Sequence, residues 1–137
     1  MTDALRLPRT VRPLRYRIDL DVDLAGAAFR GEVEIAIEVL ETTSRIACHA
    51  LHLEVAGVEL DGTTVTSHHL DGALQRLVVD LATPIEPGRA LLRVRFSGEL
   101  NDRLVGFYRS SYDDDAGTHT LAVTQFEAPH ARQCFPC

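Results

Sequence analysis

Hydrophobic and polar residues alternate strictly near the start of the chain. Between Leu14 and Leu24 every even-numbered residue is apolar, and every odd-numbered residue is arginine or aspartate. A period of two places successive side chains on opposite faces of an extended backbone, which predicts a β-strand with one wet face. A second strand is predicted after the Ala25–Ala27 turn, and its inward residues are Phe29, Val33, Ile35, Ile37 and Val39. Two antiparallel strands of this kind need a further layer over their apolar face.

Shorter alternating segments fill the rest of the chain. In the first of them the apolar positions change parity near His49-Ala50, which predicts a bulge or a break, because a slip of one residue turns later side chains to the other face. Cys48 alternates with Ile46 there and is predicted to be a small buried residue. The predicted segments are Arg45–Val55, Val58–Leu60, Thr63–Thr66, Leu74–Leu81, Leu92–Phe96, Gly106–Tyr112 and Thr118–Phe126.

Turn residues separate these segments at Asp61-Gly62, Pro84–Gly88 and Asp113–Gly117. No long 3.6-residue period occurs, so helix is limited to a short turn around Ala131–Gln133. The pattern predicts an all-β fold, an antiparallel β-sandwich or saddle of about eight strands. At this length residues 1–137 are expected to form a single domain.

Composition and charge argue against several classes of function. The formal net charge of −6 argues against a nucleic-acid surface, and no apolar run approaches the roughly 20 residues of a membrane span. The basic segment Met1–Arg17 lacks the apolar core of a secretory signal. With three cysteines, an odd number, we expect free thiols and a cytoplasmic location.

The most informative polar residues are Gln125 and Glu127, at the end of the last predicted strand. Their spacing of two is expected to direct both side chains to one side and Phe126 to the core. A carboxylate next to a neutral amide suits a ligand that carries a positive amine.

This stretch also resembles a known family. Thr124-Gln125-Phe126-Glu127, followed by Ala131-Arg132 and Cys134-Phe135-Pro136-Cys137, is similar to the N-terminal domain of gluzincin zinc aminopeptidases of the aminopeptidase N and puromycin-sensitive type. Pro13-Leu14 with Tyr16, Phe29-Arg30-Gly31 and Gly106-Phe107-Tyr108-Arg109-Ser110 resemble further parts of that domain. Pro129-His130 departs from the Thr-Asp that is common in the family. The family normally continues with Trp- or Phe-Asp-Glu-Pro, so we expect residues 1–137 to be a fragment of a larger enzyme.

The resemblance implies a role for each candidate residue. Glu127 would bind the free α-ammonium of a peptide substrate, and Gln125 would line the pocket for its first side chain. The family holds zinc with a His-Glu-x-x-His motif and a later Glu. The His-Glu-x-x-His motif does not occur in this chain. The zinc and the catalytic residues are therefore expected in a catalytic domain outside it, and the isolated chain is expected to be inactive.

Other functions compete with this interpretation. Cys134-x-x-Cys137 with His130 has the spacing of a metal or redox motif, but a structural zinc site usually needs four ligands. Asp113-Asp114-Asp115 is more typical of a solvated hairpin tip than of a calcium loop. The alternative from another class is a non-catalytic β-sandwich that serves as a binding or scaffold module.

Overall fold

The computed structural model describes residues 6–127 and 129–137. Nine β-strands follow one another in this part of the chain, and a short 3-10 helix, His130–Gln133, comes after the last of them. The strands are β1 (Val11–Asp23), β2 (Ala28–Val39), β3 (Thr43–His49), β4 (Leu53–Leu60), β5 (Val65–Asp71), β6 (Arg76–Ile85), β7 (Gly88–Glu99), β8 (Gly106–Asp114) and β9 (Gly117–Gln125).

Antiparallel pairing arranges these strands in three sheets. The larger sheet has the order β1-β2-β7-β4, the smaller one has the order β3-β6-β5, and β8 and β9 form a separate hairpin. The predicted all-β sandwich is confirmed, and within residues 6–127 and 129–137 helix is restricted to a short turn near Ala131.

A single hydrophobic core joins the sheets. The larger sheet contributes the predicted inward residues of β2 and the apolar positions of β7, and the smaller sheet contributes alternate residues of β3 and β6. Burying such side chains typically stabilises the folded state by about 1.5–3 kcal/mol each. The members that are at most 2% exposed are Val33, Ile35, Val39, Leu77, Val79, Leu92, Val94, Phe96 and Cys134.

The apolar face of β1 departs from the expectation that a second layer would cover it. Tyr16 and Ile18 lie opposite Ile35 and Val33 of β2, and residues directly opposite each other share one face of the sheet. Ile35 and Val33 are buried, yet Tyr16 and Ile18 are each 37% exposed. The difference arises because β1 is an edge strand, and among the described residues its side chains have a strand neighbour on one side only.

The ends of β3 and β6 bear on two of the predicted boundaries. The break near His49-Ala50 is confirmed, because β3 ends at His49 and β4 begins at Leu53. The predicted turn between Pro84 and Gly88 is confirmed, but its start is wrong, because β6 continues through Pro84 to Ile85 before β7 begins at Gly88. Proline is accepted there because the pairing with β5 has already ended at Leu81 and the pairing with β3 is irregular between Asp80 and Ile85.

Candidate functional site

The candidate residues lie at the base of the β8–β9 hairpin. Gly106, the first residue of β8, pairs with Gln125, the last residue of β9, and the turn at the far end confirms the predicted hairpin tip. Gln125 and Glu127 are both exposed. Because β9 ends at Gln125, the alternation rule that predicted a shared direction for the two side chains no longer applies to Glu127.

Phe126 does not enter the core, so that expectation is wrong. Its side chain is 41% exposed and meets Phe135 edge-on, with 6.1 Å between the ring centroids. Phe135 in turn meets Tyr16 of β1 at 5.8 Å. Edge-to-face pairs of this kind contribute about 0.5–1.5 kcal/mol beyond their buried area. The strand ends before Phe126, which is why its side chain turns to the C-terminal segment and not to the sheet interior.

The C-terminal segment, residues 129–137, attaches the backbone around Phe126 and Glu127 to the rest of the domain. The backbones of His49 and Cys137 exchange two hydrogen bonds of 2.6 and 3.0 Å, and the amide of Leu51 donates to the carbonyl of Arg132. Next to the candidate residues, the amide of His130 donates to the carbonyl of Glu127 at 2.6 Å. The backbone that carries Glu127 is therefore connected to the core through ordered hydrogen bonds.

Asn101 organises the loop that leads into β8, and sequence reasoning missed it. Its side-chain amide donates to the carbonyls of Val105 and Phe107 at 2.9 and 3.2 Å, while its side-chain oxygen accepts from the amide of Arg103 at 2.8 Å. Phe107 is buried and packs on Phe29 with 4.9 Å between the ring centroids. These contacts place the start of β8, and with it the base of the hairpin. An Asn between a strand and a polar loop was the only local signal.

A polar groove of about 680 Å³ lies beside the hairpin base and was also missed. The side chain of Gln133 links the two, because it lines the groove and packs against Gly106. Gly106 has φ of +71°, a conformation that favours glycine, and a Cβ there would come within 2.9 Å of Gln133. No local pattern predicts the groove, since distant segments form it. Its polar and charged lining residues include His52, Glu54, Glu99, Asn101, Arg103 and Gln133.

A second cavity, of about 340 Å³, is largely apolar and lies between the sheets. Tyr16, Cys48 and Cys137 are among the residues that line it. Burial raises the pKa of the Cys48 thiol to about 12, and the nearby Cys137 adds to this effect. Burial likewise raises the pKa of Cys134 to about 12. Thiols of this kind stay protonated and make poor nucleophiles near neutral pH. The predicted burial of Cys48 is confirmed.

These thiols predict a loss of stability in alkali. The pKa values of Cys48 and Cys134 are about 12 in the folded chain against an ordinary 9.0, so the unfolded chain releases these protons at lower pH. Their contribution to the free energy of unfolding is present below pH 9.0 and is lost progressively as the pH rises toward about 12. Urea unfolding at a series of pH values measures this effect. Cys48→Ala should make the decline shallower, and an unchanged decline in that variant would contradict the assignment.

Two of the acidic residues at the hairpin tip, which was weighed as a calcium loop, accept hydrogen bonds from neighbouring residues. At the hairpin tip the hydroxyl of Thr118 donates to Asp113 at 2.6 Å, and the amide of Ala116 donates to Asp114 at 2.8 Å. Within residues 6–127 and 129–137, no three His, Cys, Asp or Glu side chains are grouped as metal ligands. The same residues include no helix that is long and apolar enough to cross a bilayer.

Comparisons with known proteins show which family the chain belongs to. The model of the Peptidase M1 N-terminal domain matches residues 12–137. The chain is 39% identical to Aminopeptidase M1-D of Oryza sativa subsp. japonica over 96% of its own length, and 37% identical to the puromycin-sensitive aminopeptidase of Caenorhabditis elegans over the same share. In each case it spans only 15% of the relative's length. Since the family match covers nearly the whole chain, this protein belongs to the Peptidase M1 N-terminal domain family.

Proposed function

We propose that this chain is the N-terminal substrate-recognition domain of a zinc-dependent aminopeptidase. In this proposal Glu127 binds the free α-ammonium of a peptide, and Gln125 lines the pocket for the first side chain. The observation that carries it is the family match, which extends over both residues. The curated relatives with related sequences are named aminopeptidases, and the chain spans about 15% of their length.

The chemistry of an exopeptidase explains why a carboxylate is needed. Such an enzyme has to measure position from the end of its substrate, and a carboxylate at the closed end of a cleft pairs with a primary ammonium. An internal or capped peptide lacks the ammonium and would leave the carboxylate desolvated without a partner. The penalty for that loss discriminates against the wrong substrate in addition to favouring the right one.

The surroundings of Glu127 support this role. Its side chain is exposed and accessible, while its backbone carbonyl accepts a hydrogen bond from the amide of His130. Phe126 packs on Phe135, and Gln125 pairs with Gly106 at the end of the hairpin. A recognition group on an anchored loop loses less conformational entropy when a ligand binds.

The zinc ligands and the catalytic groups belong, in this proposal, to a catalytic domain outside these residues. Zinc would supply the Lewis acid and an activated water for peptide hydrolysis. This chain contributes recognition only and is expected to show no peptidase activity alone. Its three free cysteines are consistent with a cytoplasmic enzyme.

Intact mass and metal content of the native gene product test the proposal. The protein is isolated from its own cells, and its mass and bound zinc are measured on one sample. We expect a product several times heavier than 15.1 kDa with one zinc per chain and with activity toward peptides that have a free amino end. A metal-free product of 15.1 kDa would overturn the proposal in favour of a binding or scaffold module.

A further inference from the structure

The backbone of Asn101 pairs with the start of β8 on the side opposite β9. The amide of Asn101 donates to the carbonyl of Phe107 at 3.4 Å, and the amide of Arg109 donates to the carbonyl of Asn101 at 2.8 Å. These two hydrogen bonds place Asn101 beside Tyr108 in a parallel β-bridge. Since β9 pairs with the same part of β8, the first residues of β8 are held between Asn101 and β9.

The side chain of Asn101 adds a second set of hydrogen bonds to the same loop. Its amide nitrogen donates to the carbonyls of Val105 and Phe107, and its oxygen accepts from the amide of Arg103. An asparagine side chain has two N–H donors and an acceptor oxygen, and this loop uses all three groups. Aspartate has the same size but has no donor when it is ionised.

These side-chain bonds hold an unfavourable backbone conformation. Leu104 has φ of +64°, a left-handed value that costs energy for a residue with a Cβ and persists only where the surroundings fix it. The leucine side chain is 60% exposed, so its own packing contributes little. The side chain of Asn101 is bonded to the residue before Leu104 and to the residue after it, Arg103 and Val105. Asn101 therefore restrains the loop at its strained point.

The position of β8 determines the position of Gln125. Successive pairs in an antiparallel ladder alternate between those that exchange backbone hydrogen bonds and those that do not. Because the carbonyl of Phe107 is directed to Asn101, the adjacent pair, Gly106 with Gln125, is one that exchanges them. The backbone of Gln125 is thus bonded to the residue that follows the restrained loop.

A second contact leads from the same loop to Glu127. A Cβ on Gly106 would come within 2.9 Å of Gln133, so these two residues are packed closely. Gln133 ends the 3-10 helix that begins at His130, and the amide of His130 donates to the carbonyl of Glu127. The loop that Asn101 organises is therefore in contact with both segments that carry the candidate residues.

We propose that Asn101 is a positioning residue that sets the preference for the first side chain of the substrate by acting through Gln125. It rests on the proposed function, in which Gln125 lines the pocket for that side chain. Asn101 fixes the backbone pair that carries Gln125 and leaves the contact with substrate to Gln125 itself. Loss of its hydrogen bonds should move Gln125 and change which first residues fit, while the zinc centre stays intact.

Asn101→Ala in the full-length peptidase tests this role with leucyl and alanyl anilides. The ratio of the two kcat/KM values should change at least about fivefold, because a displacement of about 1 Å in a binding group has large effects. The change should arise mainly in KM, since the lost interaction serves binding of the substrate. Bound zinc should remain at one per chain. An unchanged ratio in a folded variant would overturn the proposal.

Asp71→Ala is the matched control. The carboxylate of Asp71 accepts hydrogen bonds from the amides of Ala73 and Leu74 at 3.0 and 3.1 Å, in the turn between β5 and β6. The variant therefore also removes side-chain bonds that hold a loop, but in the smaller sheet. We expect the ratio to stay within about twofold of the wild-type value. An equal shift in both variants would assign the effect to general loosening of the fold and would overturn the proposal.

A double-mutant cycle with Gln125→Ala separates this inference from the proposed function. If Asn101 acts through Gln125, adding Asn101→Ala to Gln125→Ala should change the ratio by less than about twofold. Independent, additive effects would overturn the positioning role and leave the proposed function in place. An unchanged ratio in Gln125→Ala alone would instead overturn the proposed role of Gln125, and the role of Asn101 with it.

Asn101→Asp provides the test if the alanine variant does not fold. It keeps the acceptor for the amide of Arg103 and loses both donors, so the ratio should shift in the same direction. Hydrogen exchange of the full-length peptidase gives a readout other than activity. Amides of residues 118–125 should exchange faster in Asn101→Asp than in the wild type, and Asp71→Ala should leave them unchanged. Wild-type exchange and selectivity in Asn101→Asp would overturn the proposal.

Discussion

Replacing Glu127 by glutamine in the peptidase that we propose is expected to lower kcat/KM for substrates with a free amino end by about thirtyfold to a few thousandfold. That range corresponds to about 2–5 kcal/mol, the usual cost of removing one partner of a desolvated charge pair. Glutamine keeps the size and shape of the side chain, so the change removes the charge and little else. Steady-state kinetics with aminoacyl anilide substrates, measured for the full-length peptidase and for its Glu127→Gln variant, gives the effect.

Asp115→Asn is the matched control for this result. It also converts an exposed carboxylate into an amide, but at the opposite end of the β8–β9 hairpin from Glu127. We expect it to leave kcat/KM within about twofold of the wild-type value, because surface changes away from a binding site have small effects. If Glu127→Gln behaved like Asp115→Asn, Glu127 would not be the group that binds the ammonium.

Truncation of Leu92 to alanine is expected to lower the free energy of unfolding by about 2–5 kcal/mol. Leu92 is 1% exposed and lies on β7, between Ile35 of β2 and Leu60 of β4. The loss combines reduced apolar burial with a cavity that strands on both sides cannot easily close. Since domains are typically stable by about 5–15 kcal/mol, a change of this size removes a large share of the total.

Leu70→Ala provides the comparison for Leu92→Ala. The chemical change is identical, but Leu70 is 45% exposed on β5, and we expect a loss below about 0.5 kcal/mol. Urea unfolding of both variants, with midpoints and slopes compared, makes the measurement. Similar losses in the two variants would contradict the assignment of the core to the space between the two sheets.

Much of the fold was predictable because a strand is a local pattern. Alternation identified β2 and its five inward residues, and the change of parity near His49 located the break before β4. Turn residues located the hairpin tip between Asp114 and Gly117. The end of β6 was harder to predict, because a strand can continue through Pro84 where no neighbouring strand requires an N–H donor at that position.

The candidate site was predictable only in part. The identities of Gln125 and Glu127, and the resemblance around them, are properties of one short stretch. The rest of the site depends on loop conformation and on contacts between segments. The hydrogen bonds of Asn101 arise from the shape of its own loop. The contact between Phe126 and Phe135 and the groove beside Gln133 bring together residues that are separated along the chain. No periodicity records which distant segments will meet.

A comparison of β1 with β2 shows what the sequence determined and what the tertiary structure determined. The sequence by itself determined that both are long strands with one apolar and one charged face, because alternation is a property of neighbouring residues. Only the tertiary structure decided that Ile35 of β2 is buried while Tyr16, directly opposite it on β1, is 37% exposed. The physical reason is that burial depends on position in the sheet. A central strand has neighbours on both sides, whereas an edge strand exposes its side chains until another chain or segment pairs with it.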